Sequence, residues 1–224
     1  MRCISSCGER QQEVNKMART NVDPKVGRLA RMALLIAIII ILTFTPLGYL
    51  VIGPIAATTI QMPVIIGAVI LGPTSGLVLG IAFGVSAIAK VLMMPGADLF
   101  ASTILNYNFF LYAVIAIVPR ALMGLLAGLL AAGFRKSPLG RGNTRIVAYG
   151  ITGFVGSMMN TVFYLGSLWM LASEIVAQFY GIDVSGVGNM VMGVAVTAGI
   201  PEACVSAVVV AAVCRALHTA DKNI

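Results

Sequence analysis

The chain is 224 residues long, 59% hydrophobic and only 10% charged, with a formal net charge of +7. So few charges cannot clothe a globule of this size in a water-facing shell, which excludes a soluble domain and predicts a polytopic membrane protein. Thirteen of the fifteen Lys and Arg residues fall in three clusters, Arg2 to Arg31, Arg135 to Arg145 and Arg215 to Lys222, with long apolar stretches between them. This spacing marks one side of a bilayer and makes the charge a topology signal, with no nucleic acid among the expected partners.

Residues 1–28 read as a polar, basic tail without the pattern of a cleavable signal peptide, and Met17 is an alternative start that would make the first sixteen residues dispensable. A first span is expected from Leu29 to Val51, broken near its end by Thr45-Pro46-Leu47-Gly48. An outer loop over 52–61 then carries a polar patch, Thr58-Thr59-Ile60-Gln61, between Pro54 and Pro63. The next apolar segment, Met62 to Leu71, covers only about 15 Å of a roughly 30 Å hydrocarbon core. It is too short to span as a regular helix.

Gly72-Pro73-Thr74-Ser75-Gly76 turns the chain into a third segment, Leu77 to Met94. Residues 97–108, with Asp98, Asn106 and Tyr107, read as a loop; its aromatics Phe100, Tyr107, Phe109, Phe110 and Tyr112 suit interfacial anchoring, as does Trp169 further on. A fourth span runs from Phe109 to Phe134, a basic turn from Arg135 to Arg145, and a fifth span from Ile146 to Leu171. After a polar loop with Glu174 and Asp183, a sixth span runs from Val187 to Cys214 and leads to a short basic tail, 217–224. The expected fold is an all-α integral membrane protein, a six-helix bundle over 29–216 with a short second helix and both termini cytoplasmic. The segments opposite the basic clusters hold no Lys or Arg.

Two basic residues escape the clusters. Lys90 sits near a helix end and can snorkel to the interface. Arg120, about eleven residues into the fourth span, falls near the midplane, where an arginine costs about 2.5 kcal/mol or more unless it faces a partner or water. It is either one half of a structural ion pair or a ligand contact.

Asn160 lies mid-span within Gly153, Gly156, Ser157, Tyr164 and Ser167, steps of three and four that place a small and polar stripe on one helix face. Packing between helices accounts for such a stripe, but an amide in hydrocarbon needs a partner, a water or a ligand. Glu202 follows Pro201 at similar depth in the sixth span, where the proline breaks the backbone ladder. Glu202 either neutralises Arg120 or contacts a ligand. Glycines at 72, 76, 80 and 84 recur every four residues and predict a close helix contact; Ala33 and Ala37 form a similar small face on the first helix.

Covalent chemistry lacks its residues. There is no GxxxxGK[ST] phosphate loop, the single histidine is His218 in the basic tail, and no carboxylate cluster suits a divalent metal. Four cysteines, Cys3, Cys7, Cys204 and Cys214, show neither a CxxC pair nor a nearby His cluster. No catalytic residue, metal or cofactor is expected.

A set of short motifs, in this order, resembles the substrate-binding (S) component of energy-coupling factor (ECF) vitamin transporters. They are Thr45-Pro46-Leu47-Gly48, the run from Thr59-Ile60-Gln61 through Met62-Pro63-Val64-Ile65-Ile66-Gly67-Ala68, and Leu71-Gly72-Pro73 with Gly76 and Gly80. Phe83-Gly84-Val85-Ser86, Val118-Pro119-Arg120 with Gly124, Asn160-Thr161 and Pro201-Glu202 complete the set over about residues 29–216. The resemblance implies six helices, a vitamin bound near the outer surface under the loop after helix one, and as partners a membrane T component and two cytosolic ATPase subunits. It also implies that Ala33 and Ala37 dock the T component. The motif style resembles the pantothenate and hydroxymethylpyrimidine or pyridoxine types, although Gln61-Met62-Pro63 replaces an expected His-Ile-Pro.

The resulting expectation is a non-enzymatic importer subunit in a prokaryotic cell membrane, with pantothenate favoured and hydroxymethylpyrimidine, pyridoxine, folate or riboflavin as other cargoes. Arg120, Asn160, Thr59, Gln61 and Glu202 are the expected substrate-binding residues. A membrane scaffold and an ion-coupled secondary transporter are the competing readings; neither internal repeats nor enough buried acids favour the latter.

Overall fold

The computed structural model describes residues 24–52, 55–140 and 142–222, and the chain divides into two units, 1–31 and 32–224. Most of the expected N-terminal tail, with Cys3, Cys7 and Met17, lies outside the described residues, as do Gly53, Pro54 and Arg141. The first unit contributes the helical residues Pro24 to Arg31.

Helix α1 (Pro24–Phe44) ends one residue before Thr45-Pro46, because a residue preceding proline is pushed out of the helical region. The expected first span to Val51 is therefore too long. A short turn over Pro46–Gly48 leads into a hairpin, β1 (Tyr49–Ile52) paired antiparallel with β2 (Ile55–Thr58), Tyr49 opposite Thr58 and Ile52 opposite Ile55. The expected outer loop is thus a β-ribbon on an otherwise helical molecule. Apolar and β-branched tetrapeptides around Gly53-Pro54 carry that signal in the sequence.

Helix α2 (Gln61–Leu71) is short and buried from Gln61 to Val69. It sits at the centre, packed on α3 (Pro73–Met93), α5 (Phe109–Lys136), α6 (Arg145–Tyr180) and α8 (Ile200–Lys222). A hydrophobic run of this length inside protein needs no lipid-spanning reach. Gly72, at φ +97°, makes the turn between α2 and α3, and Pro73 starts α3 where its missing N–H costs nothing.

The glycine stripe does what its period predicts. A Cβ on Gly76 would lie 2.2 Å from the carbonyl oxygen of Gly124, one on Gly80 2.2 Å from that of Arg120, and one on Gly84 2.7 Å from Ile117 Cα. Helices α3 and α5 therefore meet backbone to backbone. At the far end of the same seam, a Cβ on Gly128 would come 2.5 Å from Pro73 Cα.

Residues 97–108, expected as a loop, hold helix α4 (Leu99–Tyr107). Asp98 caps it by accepting from the Ala101 amide at 3.0 Å, and Asn108 caps α5 by accepting from Phe110 and Leu111. Of the polar residues that suggest a loop, Asp98 is a helix cap, and Asn106 and Tyr107 lie within α4. Helix α6 likewise continues past Leu171: its kink is at Ala172, with non-helical φ −134° and ψ 21°, and it ends at Gly181 in the left-handed region. Phe100 stacks edge-on with Phe179 and contacts Tyr180, pinning α4 to the end of α6. Past Gly181, Asp183 accepts from the Ser185 hydroxyl and amide, which hold its carboxyl below the usual carboxylate range.

The last helical stretch comprises α7 (Val187–Val194), a π-helical turn over Ala195–Gly199, and α8. Pro201 has no N–H to give its i−4 carbonyl, Thr197, and the wider π-turn just before it accommodates the proline without ending the helix. Helix α8 runs to Lys222, beyond the boundary expected at Ala216. Among the described residues, five helical stretches are long and apolar enough to cross a membrane, and α2 is a shorter apolar helix. The end bearing the basic turn is tied internally: Arg135 donates to the Val69 carbonyl near the end of α2, and Arg145 contacts the His218 ring.

Candidate ligand site

Gln61 opens α2 with its side chain fully buried, at 0% exposure. Its amide nitrogen lies 2.8 Å from Glu202 Oε1, 2.6 Å from Ser157 Oγ and 3.5 Å from Ser206 Oγ. Glu202 and Ser206 are one helical turn apart on α8, so a single face of that helix meets Gln61. Thr58, the last residue of β2, donates its hydroxyl to Glu202 Oε1 and adds a backbone hydrogen bond to the same carboxylate. The hairpin, the central short helix and α8 are thereby joined through one carboxylate.

This arrangement fixes the amide's orientation. Gln61 Nε2 faces the carboxylate and donates to it, and Oε1 points away. Gln61 Oε1 is buried and has no partner.

Asn160 stands one turn beyond Ser157 on α6, and its Oδ1 is also buried and without a partner. A further turn along the same helix, Tyr164 meets Arg120: the guanidinium carbon is 4.7 Å from the Tyr164 ring centroid and 5.0 Å from that of Phe83 on α3. From Ser157 to Tyr164 the helix rises about 10 Å. Polar groups are thus strung along α6 from the Gln61–Glu202 cluster to Arg120.

Arg120 is held by its own helix. Pro119 cannot supply the N–H that the Ile115 carbonyl would receive, and Arg120 Nη1 donates to that carbonyl at 3.2 Å and to Ala116 O at 2.7 Å. The two rings add a cation–π clamp. Arg120 Nε is the third buried polar atom without a partner.

Arg120 and Glu202, expected as a possible ion pair, belong to separate contact sets: carbonyls and rings for the arginine, Thr58 and Gln61 for the carboxylate. Thr59 is placed differently from Thr58. Its amide donates to Gly48 O at 3.0 Å and its carbonyl accepts from Met62 N at 3.1 Å, closing the base of the hairpin onto α2. Three further contacts are not among the residues expected from the sequence: Thr58 as a Glu202 partner, Ser206 beside Gln61, and the two rings around Arg120. Ser206 carries a signal, four residues after Glu202, and Tyr164 lies on the polar stripe of its helix; that Phe83 and Tyr164 both meet Arg120 is tertiary and has no local signal. Ala33 and Ala37 are exposed on α1, where only Ile39 and Thr43 are buried between Met32 and Phe44.

Long apolar helices around a polar, incompletely satisfied interior define a multi-pass membrane protein. The model of the family described as ECF transporter, substrate-specific component, matches residues 27–214, and the chain belongs to that family. It is accordingly a transport-type protein with a substrate-specific role, and membership implies a small-molecule substrate and interaction with a T component and ATPases. No curated protein gives a significant match.

Proposed function

We propose that this chain is the S component of an ECF-type ABC importer, capturing a small water-soluble vitamin at the outer face of a prokaryotic cell membrane and delivering it inward. The bundle has six helices, five long ones and the short buried α2 that carries the chain part of the way, with both termini cytoplasmic; the three basic clusters support that orientation. Pantothenate is the favoured cargo, its carboxylate matched to the Arg120 guanidinium. The chain performs no covalent chemistry, and a membrane T component with two cytosolic ATPase subunits supplies the driving force.

One observation carries this reading. Among the described residues, the buried side-chain polar atoms that lack partners belong to Gln61, Arg120 and Asn160, three residues on three helices. Leaving such a group unpaired costs about 1–3 kcal/mol, and a scaffold has no reason to bear that cost three times in one interior. A ligand that occupies all three recovers it.

Reconstituted vesicles separate the alternatives. With the T component and ATPases present, labelled pantothenate accumulates only with ATP. Uptake by the chain alone under an ion gradient points to a secondary transporter, and neither uptake nor binding points to a scaffold.

A further inference from the structure

Gln61 is unusual among the site residues in having no freedom to choose its role. Its nitrogen is committed to the Glu202 carboxylate and the Ser157 hydroxyl, and Thr58 holds that carboxylate from the hairpin. Turning the amide over would set its carbonyl oxygen 2.8 Å from the Glu202 carboxylate, a repulsion while that group is ionised. Its Oε1 is a forced acceptor, fully enclosed and unpartnered.

We infer that Glu202 acts as a positioning residue that locks Gln61 into an acceptor, so that the site selects ligands presenting an O–H or N–H group to Gln61 Oε1. This rests on the vitamin-capture reading above and sharpens it: the cargo belongs to the class of small molecules with a hydroxyl, amine or amide donor at the end nearest the hairpin. A site built to accept a hydrogen bond rejects an analogue lacking the donor, because its own buried group is then left unpaired. Selectivity arises at a residue that does not itself need to touch the ligand.

Donor deletion without added bulk tests this. The probes are pantothenate, its two deoxy analogues, and the ester in which oxygen replaces the amide N–H. Binding to the purified full chain is measured for wild type, Gln61→Met, Glu202→Gln and Gln61→Met/Glu202→Gln, each first checked as a monodisperse particle. We expect wild type to bind at least one deletion analogue about ten- to hundredfold more weakly than pantothenate. In Gln61→Met that ratio falls to near one. In Glu202→Gln, where the neighbouring amide permits either orientation of Gln61, the ratio drops several-fold, and the double variant resembles Gln61→Met. A purely structural role for Glu202 weakens all probes equally and leaves the ratio unchanged. No discrimination by wild type, or discrimination that survives in Gln61→Met, overturns the inference. A wild-type protein that binds a vitamin devoid of O–H and N–H donors overturns this inference alone, whereas one that binds no vitamin overturns the capture reading as well.

Discussion

Arg120 performs two tasks with one side chain. Nη1 repairs the carbonyl that Pro119 leaves open at Ile115, and the guanidinium carbon lies within 5.0 Å of both the Phe83 and the Tyr164 ring centroids with Nε unused. Removing it loses the cation–π clamp and the donor together. Arg120→Ala is therefore expected to weaken vitamin binding by about tenfold or more, abolishing retention through purification, while Arg120→Lys restores charge without the planar fork and recovers only part. Equilibrium binding to the purified variants checks this, and unchanged retention removes Arg120 from the site. Thr58 gives the second prediction at this scale: Thr58→Val keeps the side chain's volume but takes away the hydroxyl bound to Glu202. Vitamin dissociation should quicken by about tenfold, the worth of one hydrogen bond to a charged group at the lower end of its range, about 1.5 kcal/mol, as read by stopped-flow release.

At the scale of elements, the seam between α3 and α5 positions the site, because Gly80 rests on the carbonyl of Arg120 itself. Any side chain there must push the helices apart against backbone, which cannot rotate aside. Gly80→Ala should lower stability by about 1–3 kcal/mol and weaken ligand binding with it, seen as a reduced unfolding temperature in detergent. Gly133→Ala, where an added Cβ meets nothing within 4 Å, is the matched control and should be neutral. The i, i+4 glycine period made this seam legible in the sequence, as the charge clusters made the segment order legible. The hairpin, α4 and the extension of α6 were not legible to the same degree. Asp98 and Asn108 are polar breaks in hydropathy whether they mark loops or caps, and a run of four β-branched or apolar residues at a helix end looks like more helix.

The whole molecule buries α2 and shows α1. A helix of mostly apolar residues with Ala33, Leu34, Ala37, Ile38, Ile40 and Ile41 exposed gains little from its own bundle and is free to face lipid or a second protein. The small residues at 33 and 37 leave room for a close helix partner, consistent with the proposed T component. Ala33→Trp should leave vitamin binding within about twofold of wild type, since a surface change far from the buried polar groups leaves their geometry alone. It should abolish ATP-dependent uptake in vesicles. Loss of binding in that variant counts against a separate docking face. Arg120, Asn160 and Glu202 stand out in the sequence because polar groups at membrane depth are costly, and Gln61 because it closes a polar patch between Pro54 and Pro63. Which of them touch each other depended on how α2 threads the centre, and no local pattern encodes that.

The claim that this interior holds a vitamin is tested most directly by mass spectrometry of what the purified, never-supplemented protein releases on denaturation. The account predicts one small water-soluble vitamin, pantothenate foremost, at close to one molecule per chain from wild type and none from Arg120→Ala. Release of nothing from a monodisperse wild-type preparation, or of the same amount from both proteins, contradicts it.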